Sequence, residues 1–575
     1  MSKTPQYEVK IKGILDGLVP GERVCVMTGE TWMMDEEEIS WYKKFNVPPS
    51  PFSPKARLWH LAANGWSAYQ WWWNKHPETG APVLSYVHPA SGIKVLPDKE
   101  WFAKDFSNIF LEPSVEQPFF EQFRTLQVQI PVNATRNVKE PENSIATVSA
   151  GDVNSFFVQA SRTRDCVYTI DCMDAENCVE CSGCESIQEC YRVGHSQRMF
   201  RCGFANECID CQTSSFIFDC RNCEFCFGAS NQRNKKYLWW NEQLTKEEWE
   251  KRIAEIRPGD RSWLEAQKER YLTMVGSEAV WPEHFNSQSE GSIGEYMLRC
   301  SNCRFSFFGL DSQDNYYTFG FYNARNSTFS TSIVGENNYQ SGTNGESSNT
   351  KFSNTLVRCD DLEYSFNCYD CTHCFGCVGL RHKKFCILNK QYSEEEYWKA
   401  VDELKCTMLE RGEYGKPVPT KYSFSYFPES GPAMYLAAKL EDWDAVGMQH
   451  FEASAEGAFG AVREGMRSAS DVPEHIDDLD PSAWSGVPIE DAEEHRPFTL
   501  LAPEIAFYKK MRIAPPRTHF ISRMRELIWM QNTGLFEKDA CTVCKKELTV
   551  AVNRTFTHRK IHCYDCYLNY LSQRG

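Results

Sequence analysis

Two Cys-x-x-Cys pairs, Cys541 with Cys544 and Cys563 with Cys566, are separated by 18 residues. Thiolates are soft donors, and two such pairs supply the four ligands of a tetrahedral zinc ion. The intervening KKELTVAVNRTFTHRKIH reads as two strands joined by a turn, the hairpin that brings the pairs together. Residues 541 to 566 are therefore expected to form a zinc ribbon. Four sulfurs fill the coordination shell without His558 or His562, so the ion is expected to be structural.

The other cysteines follow a different rule. Of the 26 in the chain, twelve lie between 166 and 226. Cys166, Cys184, Cys202 and Cys220 are each 18 residues apart, as are Cys172, Cys190, Cys208 and Cys226. In hexads counted from Cys166, the first position is always Cys or Ser and the fourth is small or apolar. A fixed short period with inward positions is the pattern of a β-solenoid, and the 3.6-residue helical period is absent. The expected coil is 18 residues in three short strands, with equivalent cysteines stacked in columns about 4.8 Å apart. Hexads return from Cys300 to Asn323 and, after a phase slip, from Ser347 to Cys377.

Both stretches end alike. CRNCEFCFGASNQRNKKYLWWNEQLTKEEW (220–249) aligns without gaps to CYDCTHCFGCVGLRHKKFCILNKQYSEEEY (368–397), an internal duplication. Thr245 with Glu248 and Ser393 with Glu396 form capping boxes, so a helix is expected to start at the same point in each copy and cover an open sheet edge. Within the coils Cys serves first as a small buried hydrophobe. Where spacing tightens, Cys371, Cys374, Cys377 and Cys386 offer enough thiols for a second metal cluster. Its counterpart, Cys220, Cys223 and Cys226, has Ala229 and Leu238 in the remaining places. Column spacing also admits disulfides.

The segment preceding the ribbon has an N-terminal echo. EISWYKKFNVPPSPFSPKARL (38–58) resembles EIAFYKKMRIAPPRTHFISRM (504–524) with a one-residue gap, each an amphipathic helix ended by Pro-Pro. Residues 73–102 parallel the ribbon, with His76, Thr79, Pro97 and Glu100 near the ligand positions, so a copy that has lost its metal is expected there. Cys25 stands alone and reads as structural.

These pieces predict a mainly β chain with helical insertions. The expected segments are a degenerate ribbon-like module (1–135), a first solenoid stretch (143–228), a helical insertion (229–290), a second stretch (291–378), a capping helix (379–411), an acidic linker (412–500), and a helix with the true ribbon (501–575). The linker follows from 16 Asp and Glu against 4 Lys and Arg over 428–500. Over 508–575 the balance reverses, 13 basic residues against 5 acidic. The whole chain carries −16, which argues against a protein that coats nucleic acid with its entire surface. No run of 18 apolar residues occurs and the start lacks a signal-peptide core, so a reducing cytoplasm is the expected compartment.

The FYKKM…PP…CxxC…CxxC ending, FFEQF (119–123) and CxxCFG…LRHKKFCILNKQYSEEEY resemble a family of cysteine-rich zinc-ribbon proteins from ultra-small, candidate-phylum bacteria. The resemblance covers most of the chain from about 38 to 575, apart from the acidic stretch. It implies the fold and the zinc, and no activity. Members carry further CxxC pairs near the N-terminus, where this chain has Ser53 and Ala56 in place of a CPxCR pair.

The functional expectation is a non-enzymatic zinc-binding scaffold that presents a solenoid surface to a protein partner. One alternative is nucleic-acid association through Lys509, Lys510, Arg512, Arg517, Arg523 and Arg525, with Trp529, Phe556 and Tyr564 available for stacking. Another is metal storage or thiol redox buffering. An enzyme ranks below these. His195, His373 and His382 lie in or beside the coils, but no acid–base pair stands out, and neither G-x-S-x-G, a P-loop nor H-E-x-x-H is present.

Overall fold

The computed structural model describes residues 3–64, 69–453, 465–491 and 496–574. It is strand-rich with helices, and the chain divides into two compact units. The first comprises Met1–Ala134, Phe285–Phe451 and Thr533–Phe536; the second comprises Thr135–His284, Glu452–Asn532 and Glu537–Gly575. The N-terminal module therefore folds with the later strand array, and the C-terminal module with the earlier one.

In the second unit, strands from Ile145–Thr147 to Leu238–Trp239 pair in parallel, and Glu242–Gln243 closes the ten-stranded sheet antiparallel. Successive partners are twelve residues apart: Val167 with Val179, Val179 with Tyr191, Tyr191 with Gly203, Gly203 with Ser215 and Ser215 with Phe227. The same step relates Asn354 to Phe366 and Thr372 to Lys384 in the first unit. The expected 18-residue coil is thus corrected to a twelve-residue step. Six divides both numbers, so the hexad pattern alone could not choose between them.

The underlying period is three. Cys166, Thr169, Cys172, Ala175 and Cys178 are all buried. The residue before each inward position has positive φ, as at Asp165 (52°), Tyr168 (56°), Asp171 (53°), Asp174 (54°) and Asn177 (51°). A left-handed residue at every third place turns the chain four times per step. Asn and Asp tolerate that region best, which accounts for their frequency there. The inward places hold Cys, Ser and Ala together with apolar side chains such as Ile187, Val193, Met199 and Ile217.

The paired strands extend beyond the expected ends at 228 and 378, to Gln243 and Gln391. The helices Lys246–Ile253 and Glu394–Glu410 then begin with the capping boxes of Thr245 and Ser393. The described residues of 412–500 do not form a solvated linker. Tyr414, Phe424, Phe427 and Met434 are buried in the first unit, and Val472, Ile476, Ile489 and Leu500 in the second. The acidic tally concealed apolar residues that return at short intervals and pack.

The two helix–Pro copies build the same core device. In the first unit Arg57 donates to Tyr42 (3.2 Å), Tyr339 (2.9 Å) and Gln340 (3.2 Å), and pairs with Glu38 at 3.4 Å. In the second, Arg523 donates to Tyr508 (2.8 Å) and Glu504 (3.0 Å), and pairs with Glu180. Glu38, Tyr42 and Arg57 correspond to Glu504, Tyr508 and Arg523 without any gap; the offset between the Pro-Pro pairs is local.

Candidate metal centre

Cys541 follows the strand Asn532–Ala540 and Cys563 follows the strand Lys560–His562, with Glu547–Asn553 between them. At the first pair the chain reverses tightly: Cys541 N–H donates to Lys546 (2.9 Å), Lys545 N–H returns to Cys541 (3.0 Å), and Lys545 has φ 63°. The second pair opens the helix Tyr564–Arg574, where Tyr567 N–H donates to the Cys563 carbonyl at 2.9 Å.

The donor atoms of Cys541, Cys544, Cys563 and Cys566 all lie within 4.8 Å of one another. The Cys544 and Cys563 sulfurs are 3.7 Å apart. A tetrahedron with metal–sulfur bonds of about 2.3 Å has edges of about 3.8 Å, so the residues present fit a zinc ion. Burial opposes a thiolate at Cys541, but the N–H groups of Cys563, Cys544 and Val543 outweigh it and bring its pKa down to about 6. Four sulfurs leave no place for a reacting water. His562 packs edge-on against Tyr570 and takes no part in the four-sulfur group.

The same turn occurs twice more, both times in the first unit. His76 N–H donates to Ala81 (2.7 Å), Gly80 N–H returns to His76 (2.9 Å), and Gly80 has φ 73°. Trp101 N–H donates to Pro97 at 2.9 Å, which places Pro97 and Glu100 where the ribbon has Cys563 and Cys566. His76 Nδ1 accepts the N–H groups of Glu78 and Thr79, so Nε2 carries the proton toward Glu100, 2.9 Å away. A hydrogen-bonded pair stands in place of a metal.

The other case is Cys25. Its N–H donates to Glu30 (2.8 Å), Gly29 N–H returns to Cys25 (2.9 Å), and Arg57 N–H donates to Ser53 (2.9 Å). Cys25, Thr28, Ser53 and Ala56 thus occupy the four ligand places. In the sequence the signal for this turn is Thr28, one Cys-x-x-Cys spacing on from Cys25, followed by the turn glycine Gly29.

The second candidate cluster is not assembled. Among the described residues, Cys371, Cys374, Cys377 and Cys386 do not form a group of mutually close donors. Cys371, Cys374 and Cys377 face inward from successive corners of one twelve-residue step, Cys386 lies beside Cys374 on the next, and each is tied to the backbone. Cys371 donates to Tyr369 (3.3 Å), Cys374 to Thr372 (3.6 Å), Cys377 to the Cys386 carbonyl (3.3 Å) and Cys386 to Lys384 (3.5 Å). All cysteines outside the ribbon are buried free thiols. Burial pushes Cys172, Cys178 and Cys208 well above the ordinary thiol range, whereas neighbouring thiols hold Cys223 and Cys371 below it.

Most residues of the basic set have partners within the protein. Arg523 is buried in the core network. Lys510 pairs with Glu189 (2.8 Å), Arg512 with Asp477 (2.8 Å) and Arg517 with Glu474 (3.3 Å). Lys509 reaches the Ile476 carbonyl at 3.4 Å, and Arg525 lies over Trp529 at 5.7 Å. Acidic residues of 474–477 neutralise part of the basic module within the second unit.

No family model matches this chain, and no curated protein matches it. Among solved structures, a chain from Desulfovibrio desulfuricans G20 named a "putative acetyltransferase" is 9% identical, with a TM-score of 0.11. The match covers 41% of this chain and 65% of that one, just under two thirds of its length. A score that low carries no argument about fold or activity.

Proposed function

We propose that the protein is a non-enzymatic scaffold of a reducing compartment, built on two β-solenoid stretches and carrying one structural zinc in its C-terminal ribbon. The convergence of four sulfurs into a shell with no open position supports this reading above all, because it gives zinc a folding role and no substrate position. The buried, backbone-tied thiols of the twelve-residue steps weigh against storage or redox buffering, both of which need accessible sulfur. The engaged basic residues weigh against nucleic-acid binding in the same way. Long parallel arrays offer extended faces, and a protein partner is the class of ligand they suit.

Elemental analysis and native thiol titration of the purified chain test the reading together. About one zinc per chain, with the remaining thiols reacting only after denaturation, is the expected result. Several metals per chain would favour storage. Affinity purification that recovers no reproducible protein partner would count against the scaffold.

A further inference from the structure

Outside the ribbon, one column of outward side chains combines hydrogen-bonding groups with open space. Asn337, Asn349, Asp361, His373 and Phe385 recur every twelve residues, all at positive φ, on successive rungs of the first unit. Asn337 donates to Asn349 at 3.2 Å, and Asn349 to Asp360 at 2.7 Å. His373 Nδ1 lies 2.7 Å from Asp361, and its ring stacks on Phe385 at 5.2 Å. The carboxylate fixes the proton on Nδ1, leaving Nε2 as an acceptor without a hydrogen-bonding partner among the described residues. Asn337, Asn349, Asp361 and His373 line a cleft of about 550 Å³, with Lys44 and Phe45 also in its lining.

The duplicated unit supplies an internal control. The gapless alignment pairs His373 with Phe225; stepping back by twelve residues at shared positive φ pairs Asp361, Asn349 and Asn337 with Thr213, Arg201 and Glu189, and the helix–Pro copies pair Lys44 with Lys510. There Lys510 and Arg201 both pair with Glu189, bridging the place that is open in the first unit. Phe225 stacks on Tyr237 at 5.6 Å, so the fold needs only a ring at that place. Packing therefore does not account for the His373–Asp361 pair or for the amides that replace the ion pairs. Both changes open the cleft and equip it with hydrogen-bonding groups.

We propose that this cleft is a binding site for a neutral, polyhydroxylated ligand of the saccharide class, with His373 Nε2 accepting a ligand hydroxyl. Hydroxyls both donate and accept, which suits a wall of amides, carboxylates and an acceptor imidazole. Charge does not select an ion here. Two lysines of the lining, Lys44 and Lys351, are balanced by Asp360 and Asp361.

Saturation-transfer NMR on the full chain tests the site with glucose, galactose, N-acetylglucosamine and maltose, and with phosphate and acetate as anionic competitors. Transfer to at least one sugar is expected, undiminished by the anions. It should be lost in His373→Phe, which copies Phe225, and in the double variant Asn337→Glu with Asn349→Arg, which copies the bridged cleft. Both variants should melt with the parent, since each restores an arrangement the fold already holds. No transfer to any of the four sugars, displacement by phosphate or acetate, or transfer that persists in both variants would overturn the assignment.

Discussion

Replacing Arg523 by Met removes the cation from the buried network of the second unit while keeping much of its volume. The side chains of Glu180 and Glu504 are both fully buried beside it. Glu180 retains Arg192 at 2.9 Å. Glu504 is left with the hydroxyls of Tyr168 (3.1 Å) and Tyr508 (2.9 Å) and the Leu501 N–H (3.0 Å), none of which neutralises its charge. Breaking a buried pair in this way costs about 3–5 kcal/mol. Urea denaturation of the full chain at pH 7 should show that loss, and hydrogen exchange should accelerate in the helices Ala502–Met511 and Phe520–Trp529. Arg57→Met should repeat the effect around Glu38 in the first unit. A loss below about 1 kcal/mol, typical of a surface position, would refute the reasoning.

Two further outcomes follow from the ribbon and the core. Cys566→Ser, or a strong chelator, should release the zinc and unfold residues 541–566 selectively, since structural zinc contributes about 10–16 kcal/mol of folding free energy in small domains; zinc content and exchange of the 541–566 peptides read this out. Burial holds the His60 pKa down to about 4, against about 6.5 when unfolded. The folded chain therefore binds fewer protons between those values. The stability contributed is complete above pH 6.5 and declines as pH falls toward 4, by about 1.4 kcal/mol per unit. Denaturation midpoints at pH 7 and 5 check it, and His60→Gln should flatten that part of the profile.

The spacing of the cysteines made the four-sulfur cluster and the repeat legible, and the capping boxes made both helix starts legible, because each rests on a local rule. The step length was not legible. A hexad is compatible with twelve or eighteen residues, and the choice depends on a left-handed residue at every third place, which side-chain type signals weakly. That error hid the Asp361–His373 pair, whose members are one twelve-residue step apart and fell out of phase in an eighteen-residue frame. The packing of 412–500 was hidden for another reason. Net charge describes the solvent face of a segment, whereas burial of Tyr414, Phe424, Ile476 and Leu500 depends on where the charged residues turn.

The three related turns differ in how the metal's place is filled, and Cys25 is the one nearest to a metal site. Burial opposes a thiolate there, but the Thr28 hydroxyl and the N–H groups of Ser53, Thr28 and Met27 converge on its sulfur and lower its pKa. The N–H groups of Cys563, Cys544 and Val543 do the same, position for position, at Cys541. The backbone around Cys25 is therefore already arranged for a thiolate cluster and lacks only ligands. Thr28→Cys, Ser53→Cys and Ala56→Cys together should raise the zinc content from about one to about two per chain, with the second ion lost on reverting any of the three. Ser53 and Ala56 are buried, so the added sulfurs must fit a closed space, and a cobalt-substituted sample would report tetrahedral thiolate coordination directly. A content that stays at one in a folded variant would show that the shared hydrogen bonds are not enough to define the site.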